Sequence, residues 1–313
     1  MSEPFISVIV PAFNEERNIE RCLHALLEQD YRKDRYEVLV VDNGSRDRTR
    51  QLALELGVQV IEIPRSTVSV ARNIGAQHAQ GSILGFVDAD CVAASNWLRV
   101  AATLVGEHPR LAGSYYHLPP DESWIAKTWS YLREASTDRF VALSGGNIVV
   151  PRGVFLGIGG FDESLATGED AEFSRRAFDK HVPLLYAPEL QVTHLGEPKT
   201  LEHFVRRETW YGLGAFGTFR QHWFDRPLLG TFAFIVGHIL VFAGALFGKS
   251  SLLVIACFGI LGLLVASIFH RRSTLRGVGH ILRLLLLFYL FYLGRAASLF
   301  LLLRRVPYYH NMK

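Results

Sequence analysis

Val87-Asp88-Ala89-Asp90-Cys91 sets two carboxylates one residue apart where an apolar run, Ile83 to Val87, ends. In an extended segment residues i and i+2 project to the same side, so both carboxylates can face one hard cation or one ligand. A divalent metal holding a diphosphate suits that geometry, and so does an ordinary exit from a strand into a turn. Two more acidic groups follow apolar runs. Asn14-Glu15 come after Val10-Pro11-Ala12-Phe13, and Asp42 opens Asp42-Asn43-Gly44-Ser45. Taken singly, Asn14 reads equally as a helix cap and Asp42-Asn43-Gly44-Ser45 as a turn. Arg72, in Ala71-Arg72-Asn73, offers a cation for a phosphate or base, or a solvated side chain.

The elements that must position these residues alternate. Phe5 to Val10, Tyr36 to Val41, Gln59 to Ile63 and Ile83 to Val87 read as strands. Between them, Glu15 to Glu28, Thr49 to Leu56 and Val70 to Gln80 read as helices, the first through Ile19, Cys22, Leu23, Leu26 and Leu27. Fully apolar strands alternating with helices predict an α/β fold, a mainly parallel sheet covered on both faces. Such sheets bind ligands beyond the carboxyl ends of their strands. Three strand ends therefore deliver carboxylates to one edge, a coincidence harder to explain by turn chemistry than any one of them.

The composition is uneven. The chain has 313 residues, 49% hydrophobic, yet from Leu228 onward charges nearly vanish. Leu228 to Phe247 and Leu252 to Phe269 each approach the ~20 apolar residues that a helix needs to cross a bilayer. His280 to Leu303 is interrupted by Arg283 and Arg295. A charge near the middle of a span costs about 2.5 to 3.5 kcal/mol, so Arg295 must snorkel, pair or lie in the interface. Either a third crossing or a broken helix partly on the membrane satisfies this. Leu201 to Trp223 mixes apolar and aromatic residues at helical spacing with Arg206, Arg207 and Arg220, the pattern of an interfacial amphipathic helix or of one packed on the soluble part.

The expected division is thus a domain over 1–200, an amphipathic segment over 201–227 and a membrane domain over 228–313, with two or three helices near 228–248, 251–269 and 280–303. Arg206, Arg207, Arg220 and Arg226 precede the first span, only Lys249 follows it, and Arg271, Arg272 and Arg276 follow the second. Arg304, Arg305 and Lys313 close the chain. Basic flanks lie inside, which predicts a multi-pass inner-membrane protein with its large N-terminal part cytoplasmic. Phe5 to Val10 is too short for a secretory signal. Cys22, Cys91 and Cys257 are odd in number and far apart, so neither a disulfide framework nor zinc spacing follows. A net charge of +3 gives no reason to expect nucleic acid.

The ordered set Val10-Pro11-Ala12-Phe13-Asn14-Glu15, Val41-Asp42-Asn43-Gly44-Ser45, Ala71-Arg72-Asn73-Ile74-Gly75 and Asp88-Ala89-Asp90 resembles the family 2 glycosyltransferases. It continues through Gly145-Gly146-Asn147, Gly159-Gly160-Phe161-Asp162-Glu163 and Gly168-Glu169-Asp170, covering roughly residues 5 to 195. The resemblance implies a nucleotide-sugar-binding domain of the GT-A type, catalysing inverting transfer. It implies that Pro11, Asn14, Glu15 and Asp42 line the base and ribose pocket with Arg72 beside them. Asp88 would meet the ribose or metal, and Asp90 would ligate Mn2+ or Mg2+ on the diphosphate. Asp170 matches the position of the general base, with Glu169 its neighbour, although the same pair reads as a charged first turn of a helix. His194 falls where family members place a histidine near the metal, or is a strand-end histidine with an ordinary hydrogen bond.

Processive members carry a Gln-x-x-Arg-Trp motif near the membrane, which Arg207-Glu208-Thr209-Trp210 and Arg220-Gln221-His222-Trp223 do not match. The expectation is one transfer, from a nucleotide diphosphate sugar, a UDP-sugar by preference, to a lipid or lipid-linked saccharide at the cytoplasmic face. A non-catalytic membrane-anchored sugar-nucleotide-binding protein is the alternative. A nucleotidyltransferase is disfavoured, because Pro11 to Glu16 is acidic and lacks the glycines of a triphosphate loop.

Overall fold

A computed structural model describes residues 3–134, 142–217, 226–270 and 277–303. Phe219, Arg220 and Trp223 of the expected amphipathic stretch lie outside the described residues, as do Arg271, Arg272, Arg276, Arg304, Arg305 and Lys313. Contacts divide the chain into two units: Met1–Pro120 with Asp138–Glu197, and Asp121–Thr137 with Pro198–Lys313. Among the described residues, 121–134 group with the second unit in this division.

In the first unit, the alternating segments form β1 (Ile6–Ala12), α1 (Ile19–Leu27), β2 (Tyr36–Asp42), α2 (Thr49–Glu55), β3 (Gln59–Glu62), α3 (Val68–His78) and β4 (Ile83–Val87). There follow β5 (Cys91–Ala93), α4 (Trp97–Val105) and β6 (Leu111–Gly113). Beyond α5 (Trp124–Glu134) of the second unit come β7 (Asn147–Pro151), α6 (Arg152–Ile158), α7 (Glu169–Asp179), β8 (Leu184–Tyr186) and β9 (Val192–His194). Seven strands make one sheet in the order β3-β2-β1-β4-β7-β6-β8, while β5 and β9 pair separately. Only β7 runs against its neighbours in the large sheet, which is the mainly parallel GT-A-type architecture.

Successive side chains of a strand face opposite ways, and this alternation builds two cores. Val8, Val10, Val38 and Val40 pack with Ile19, Leu23 and Leu26 of α1 and with Trp97 of α4. Ile9, Leu39, Val41, Leu84 and Phe86 pack on the other face with Ala71 of α3, Phe155 of α6 and Phe173 of α7. With both faces covered, the polar residues are left to the strand ends.

The second unit is helical: α5 with α8 (Leu201–Gly217), α9 (Arg226–Leu246), α10 (Ser250–His270) and α11 (Val278–Leu303). Pro227–Leu246, Ser250–His270 and Val278–Leu302 are each long and apolar enough to cross a membrane. The third stretch is one continuous helix despite its arginines. Of the arrangements open to Arg295, pairing is the one found: its guanidinium meets Glu208 of α8 at 3.3 Å and donates to the Tyr211 carbonyl at 3.0 Å. A Cβ on Gly294 would lie 2.9 Å from both Glu208 Cβ and the Val205 carbonyl, so a small residue there lets α8 and α11 approach closely. Trp129 of α5 fills the space beside them, 5.0 Å from Phe204 and 5.3 Å from Phe288.

Candidate active site

Three strand ends meet on one edge of the sheet. Ala12 of β1 lies opposite Asp42 of β2, and Ile9 opposite Phe86 of β4, so the chain leaves each strand on the same side. Pro11 falls past the last β1–β4 pair, where a missing amide is tolerated. Asn14 then turns the chain at φ +53°, a conformation asparagine adopts more readily than most residues, and this delays α1 to Ile19. Its amide donates to Ser45 Oγ at 3.0 Å and its Oδ1 accepts from the Arg46 amide at 2.9 Å. The Glu15 amide donates to Thr49 Oγ1 at 2.6 Å. The Glu16 and Thr49 amides donate to Asp47 at 3.1 and 3.0 Å. Burial pushes the Asp47 carboxyl up, but these bonds and the Thr49 hydroxyl outweigh it and hold the group below the usual carboxylate range. Asp42 is buried behind them, and among the described residues its Oδ1 has no hydrogen-bond partner. A buried acceptor left unsatisfied at a strand end is suited to a donor from a ligand.

Arg72, expected beside those residues, is committed elsewhere. Fully buried on α3, it donates through Nη2 to Asp88 at 2.7 Å and through Nη1 to Glu169 at 2.6 Å. The β4–β7 pair sets Val87 opposite Asn147 and so carries Gly145-Gly146 to Asp88. A Cβ on Gly146 would fall 2.3 Å from Asp88 Oδ2, so only glycine permits the approach. The Gly145 amide donates to Asp170 Oδ2 at 3.0 Å, and the Gly146 amide to Tyr116 Oη at 3.0 Å. Tyr116 Oη in turn donates to Asp88 Oδ2 at 3.2 Å. The contacts close a ring: Arg72, Asp88, Tyr116, Gly146-Gly145, Asp170-Glu169 and back to Arg72. Burial opposes the charge on Arg72, and the two carboxylates more than offset it, holding the guanidinium above its ordinary range. Burial pushes the Glu169 carboxyl up, against the pull of Arg72 and with the help of Asp170.

Asp90 belongs to a second group. His194 Nε2 lies 3.4 Å from Asp90 Oδ2, and His194 Nδ1 lies 3.6 Å from Glu197 Oε1. Asp90, Cys91 and His194 each offer a ligand atom within 4.8 Å of the others. Asp88 is outside this set, held by Arg72 and Tyr116. Burial pushes the Asp90 carboxyl up, His194 opposes this and the Asp88 charge adds to it. The Tyr116 ring stacks on His194, 4.7 Å between centroids, so one tyrosine touches both groups. The Cβ of any larger residue at Gly196 would sit 2.2 Å from Asp90 Oδ2. A carboxylate, an imidazole whose Nε2 faces it at 3.4 Å and the space kept by Gly196 fit a divalent transition metal.

No sequence pattern marks Tyr116, Cys91 or Glu197 for these positions. Cys91 reaches His194 through the β5–β9 pair, and His117 bridges Thr193 of β9, next to Tyr116. Those pairings join residues 103 and 76 positions apart through two three-residue strands and an isolated bridge, too short to carry a periodic signal.

Residues 7–158 match the family model described as glycosyl transferase family 2, and residues 123–307 match glycosyl transferase family group 2. Glycosyltransferase AglE of Haloferax volcanii is 34% identical over 208 residues, which cover 62% of this chain and 68% of that protein. A Methanococcus voltae protein, dolichyl N-acetyl-alpha-D-glucosaminyl phosphate 3-beta-D-2,3-diacetamido-2,3-dideoxy-beta-D-glucuronosyltransferase, is 31% identical over 120 residues, covering 35% of this chain and 37% of that one. Among solved structures, the mannosyltransferase PcManGT of Pyrobaculum calidifontis, in complex with GDP-Man and Mn2+, aligns with a TM-score of 0.62 at 18% identity. That alignment covers 98% of this chain and 89% of the other, and it bears on the fold.

Proposed function

The chain belongs to glycosyl transferase family 2 and is a glycosyltransferase; we propose that it moves one sugar, with inversion, from a nucleoside diphosphate sugar to a lipid or lipid-linked saccharide. The observation that carries this reading is the ring of contacts that ties Asp88, at the carboxyl edge of the sheet, to Asp170. Pro11, Asn14, Glu15 and Asp42 are the proposed donor-binding residues, and Asp42 Oδ1 is the acceptor still open to a nucleoside. A UDP-sugar is the first donor to test, with GDP-sugars beside it. Asp88 is the proposed partner of the ribose.

Transfer is a single displacement. The acceptor oxygen bonds to the anomeric carbon, the bond to the nucleoside diphosphate breaks, and the acceptor proton passes to Asp170. A carboxylate placed for this can contribute about 10²–10⁴ in rate. Asp170 suits the role because the Gly145 amide on Oδ2 and the Ala171 amide on Oδ1 fix its plane, while two oxygens retain lone pairs for a hydroxyl. Glu169, engaged by Arg72, orients its neighbour rather than taking the proton. Asp90 and His194 would hold a divalent cation, Mn2+ or Mg2+, which supplies charge neutralisation to the leaving diphosphate.

The lipid acceptor is supported by the three helices apolar enough to cross a membrane and by the dolichyl-linked substrate in the name of the Methanococcus voltae relative. The basic residues flanking the first and second spans support a cytoplasmic catalytic domain on the inner membrane. The test uses the full chain in nanodiscs, titrated calorimetrically with UDP- and GDP-sugars in Mn2+ or Mg2+. One donor class should bind in a metal-dependent way, and Asp170→Asn should retain that binding while losing at least about 10²-fold in turnover. Binding of no sugar nucleotide, or full turnover by Asp170→Asn, would overturn the reading.

A further inference from the structure

We propose that Cys91 gives the cation site a sulfur ligand, so that Asp90, Cys91 and His194 form a three-ligand centre for a thiophilic divalent ion even without nucleotide. The inference rests on the reading of Asp90 and His194 as cation ligands and adds a third donor that changes which ions the site prefers.

A buried cysteine is ordinarily a small apolar filler, and Cys91 does contact the core beneath the sheet. Two observations set it apart from that role. Cys91 and His194 are directly opposed in the antiparallel β5–β9 pair, where facing residues project to the same side. Its ligand atom, with one from Asp90 and one from His194, lies in a group no wider than 4.8 Å, and its Sγ is 3.9 Å from Asp90 Oδ1. Bonds of roughly 2.0–2.3 Å in a tetrahedral site set donors about 3.3–3.8 Å apart, so donors within 4.8 Å of one another would draw in by about 1 Å at most around an ion. The other cysteines have no such setting: Cys22 donates to the Asp88 carbonyl from α1, and Cys257 is exposed on α10.

The surroundings suit a bound ion. Glu197 lies 3.6 Å from His194 Nδ1, beyond hydrogen-bond distance but on the side where an outer-shell carboxylate would stand, while Nε2 faces Asp90. The stacked Tyr116 ring covers one face of the imidazole, and Gly196 keeps side-chain atoms away from Asp90. Carboxylate, imidazole and thiolate together favour Zn2+, Co2+ or Cd2+ over Mg2+, which prefers oxygen. Three protein ligands also leave a coordination position open, where a diphosphate oxygen or water could enter. The thiol proton is released to solvent as the metal–sulfur bond forms.

Cobalt alone is the probe. Full-length protein in nanodiscs, carrying Cys257→Ser to remove the exposed thiol, is titrated with Co2+ in the absence of nucleotide. The expected result is saturable binding with a near-ultraviolet thiolate-to-cobalt charge-transfer band. Cys91→Ser should abolish that band and weaken Co2+ at least about tenfold, the scale on which even outer-shell losses act. Cys91→Ala serves beside it as the apolar replacement, with circular dichroism to establish that both variants fold. Binding without the band, or a band that survives in folded Cys91→Ser and Cys91→Ala, overturns the sulfur ligand and leaves Asp90 and His194 as proposed. Absence of saturable Co2+ binding overturns it as well, and metal-dependent sugar-nucleotide binding by the same preparation would keep the glycosyltransfer reading intact.

Discussion

Arg72 in the first unit and Arg295 in the second each meet a buried glutamate, Glu169 at 2.6 Å and Glu208 at 3.3 Å, but the groups around them are mirror images. In the first, one arginine serves two carboxylates, Asp88 and Glu169. In the second, one carboxylate serves two arginines, since Arg207 also lies 3.8 Å from Glu208. The first group keeps an excess negative charge at a sheet edge lined by Asp42, Asp90 and Asp170, where the proposed reaction would need a cation and take up the acceptor proton. The second keeps an excess positive charge within apolar helices, eased by the Phe291 ring 5.0 Å from Arg295 and by the Tyr211 carbonyl. Similar ion pairs thus meet two needs: holding reactive carboxylates in place, and letting a charged helix lie among apolar ones.

The shared member of each group is the costly one to remove. Arg72→Met should cost about 3–5 kcal/mol by leaving the buried Glu169 and the half-buried Asp88 uncompensated, more than Glu169→Gln costs. Thermal unfolding of the detergent-solubilised protein checks this, and a variant melting like the parent would break the comparison. Arg72→Lys should recover part of the loss, because an ammonium keeps the charge but cannot fork to both acids. In the second unit the order reverses. Glu208→Leu should cost about 1–2 kcal/mol and Arg295→Leu about 0.5 kcal/mol, the scale of polar contacts between membrane helices. Unfolding in mixed micelles ranks them, and Arg295→Leu proving the more damaging would show that Glu208 is not the hub.

The smallest effect contrasts both groups with a carboxylate held by hydrogen bonds alone. Asp47 titrates below its ordinary range in the folded protein, so its contribution is present above the unfolded pKa of about 3.9 and fades as pH falls through the folded value. Because the group is partly exposed, the expected size is a few tenths of a kcal/mol. Acid unfolding of the parent should therefore be slightly steeper below about pH 4 than that of Asp47→Asn. Coincident curves would show that the hydrogen bonds to Thr49 and Glu16 contribute nothing to stability.

What could be read from sequence follows the range over which each feature is encoded. The strand over Ile83–Val87 has the same bounds by pattern and in the fold, and Tyr36–Asp42 differs by one residue, because continuous apolar runs are local signals. The start of α1 was harder to place, since the left-handed Asn14 depends on Ser45 and Arg46 from the next connection. The carboxylates were visible as types at strand ends, but their grouping was not. Asp88 and Asp90, two residues apart, part company because Arg72 and Tyr116 hold one while His194 and Cys91 adjoin the other. Whether His280 to Leu303 formed one helix turned on a partner for Arg295, and that partner lies 87 residues earlier.

The ring through Arg72 also sets an order on assembly. Arg72 and Asp88 lie within 16 residues, so they can meet as soon as α3 and β4 have formed, whereas Glu169 is 97 residues further along. Asn73, the next residue on α3, waits 88 residues for the Phe161 backbone, whose carbonyl and amide its side chain meets at 2.9 Å each. A chain emerging from the ribosome therefore carries a finished half-sheet whose central helix is still missing two of its partners. Contacts that close large loops come late. The ring through Arg72 is thus among the last contacts of the first unit to set, and a polypeptide released before α7 would hold β1 to β4 without Glu169 and Asp170 in place.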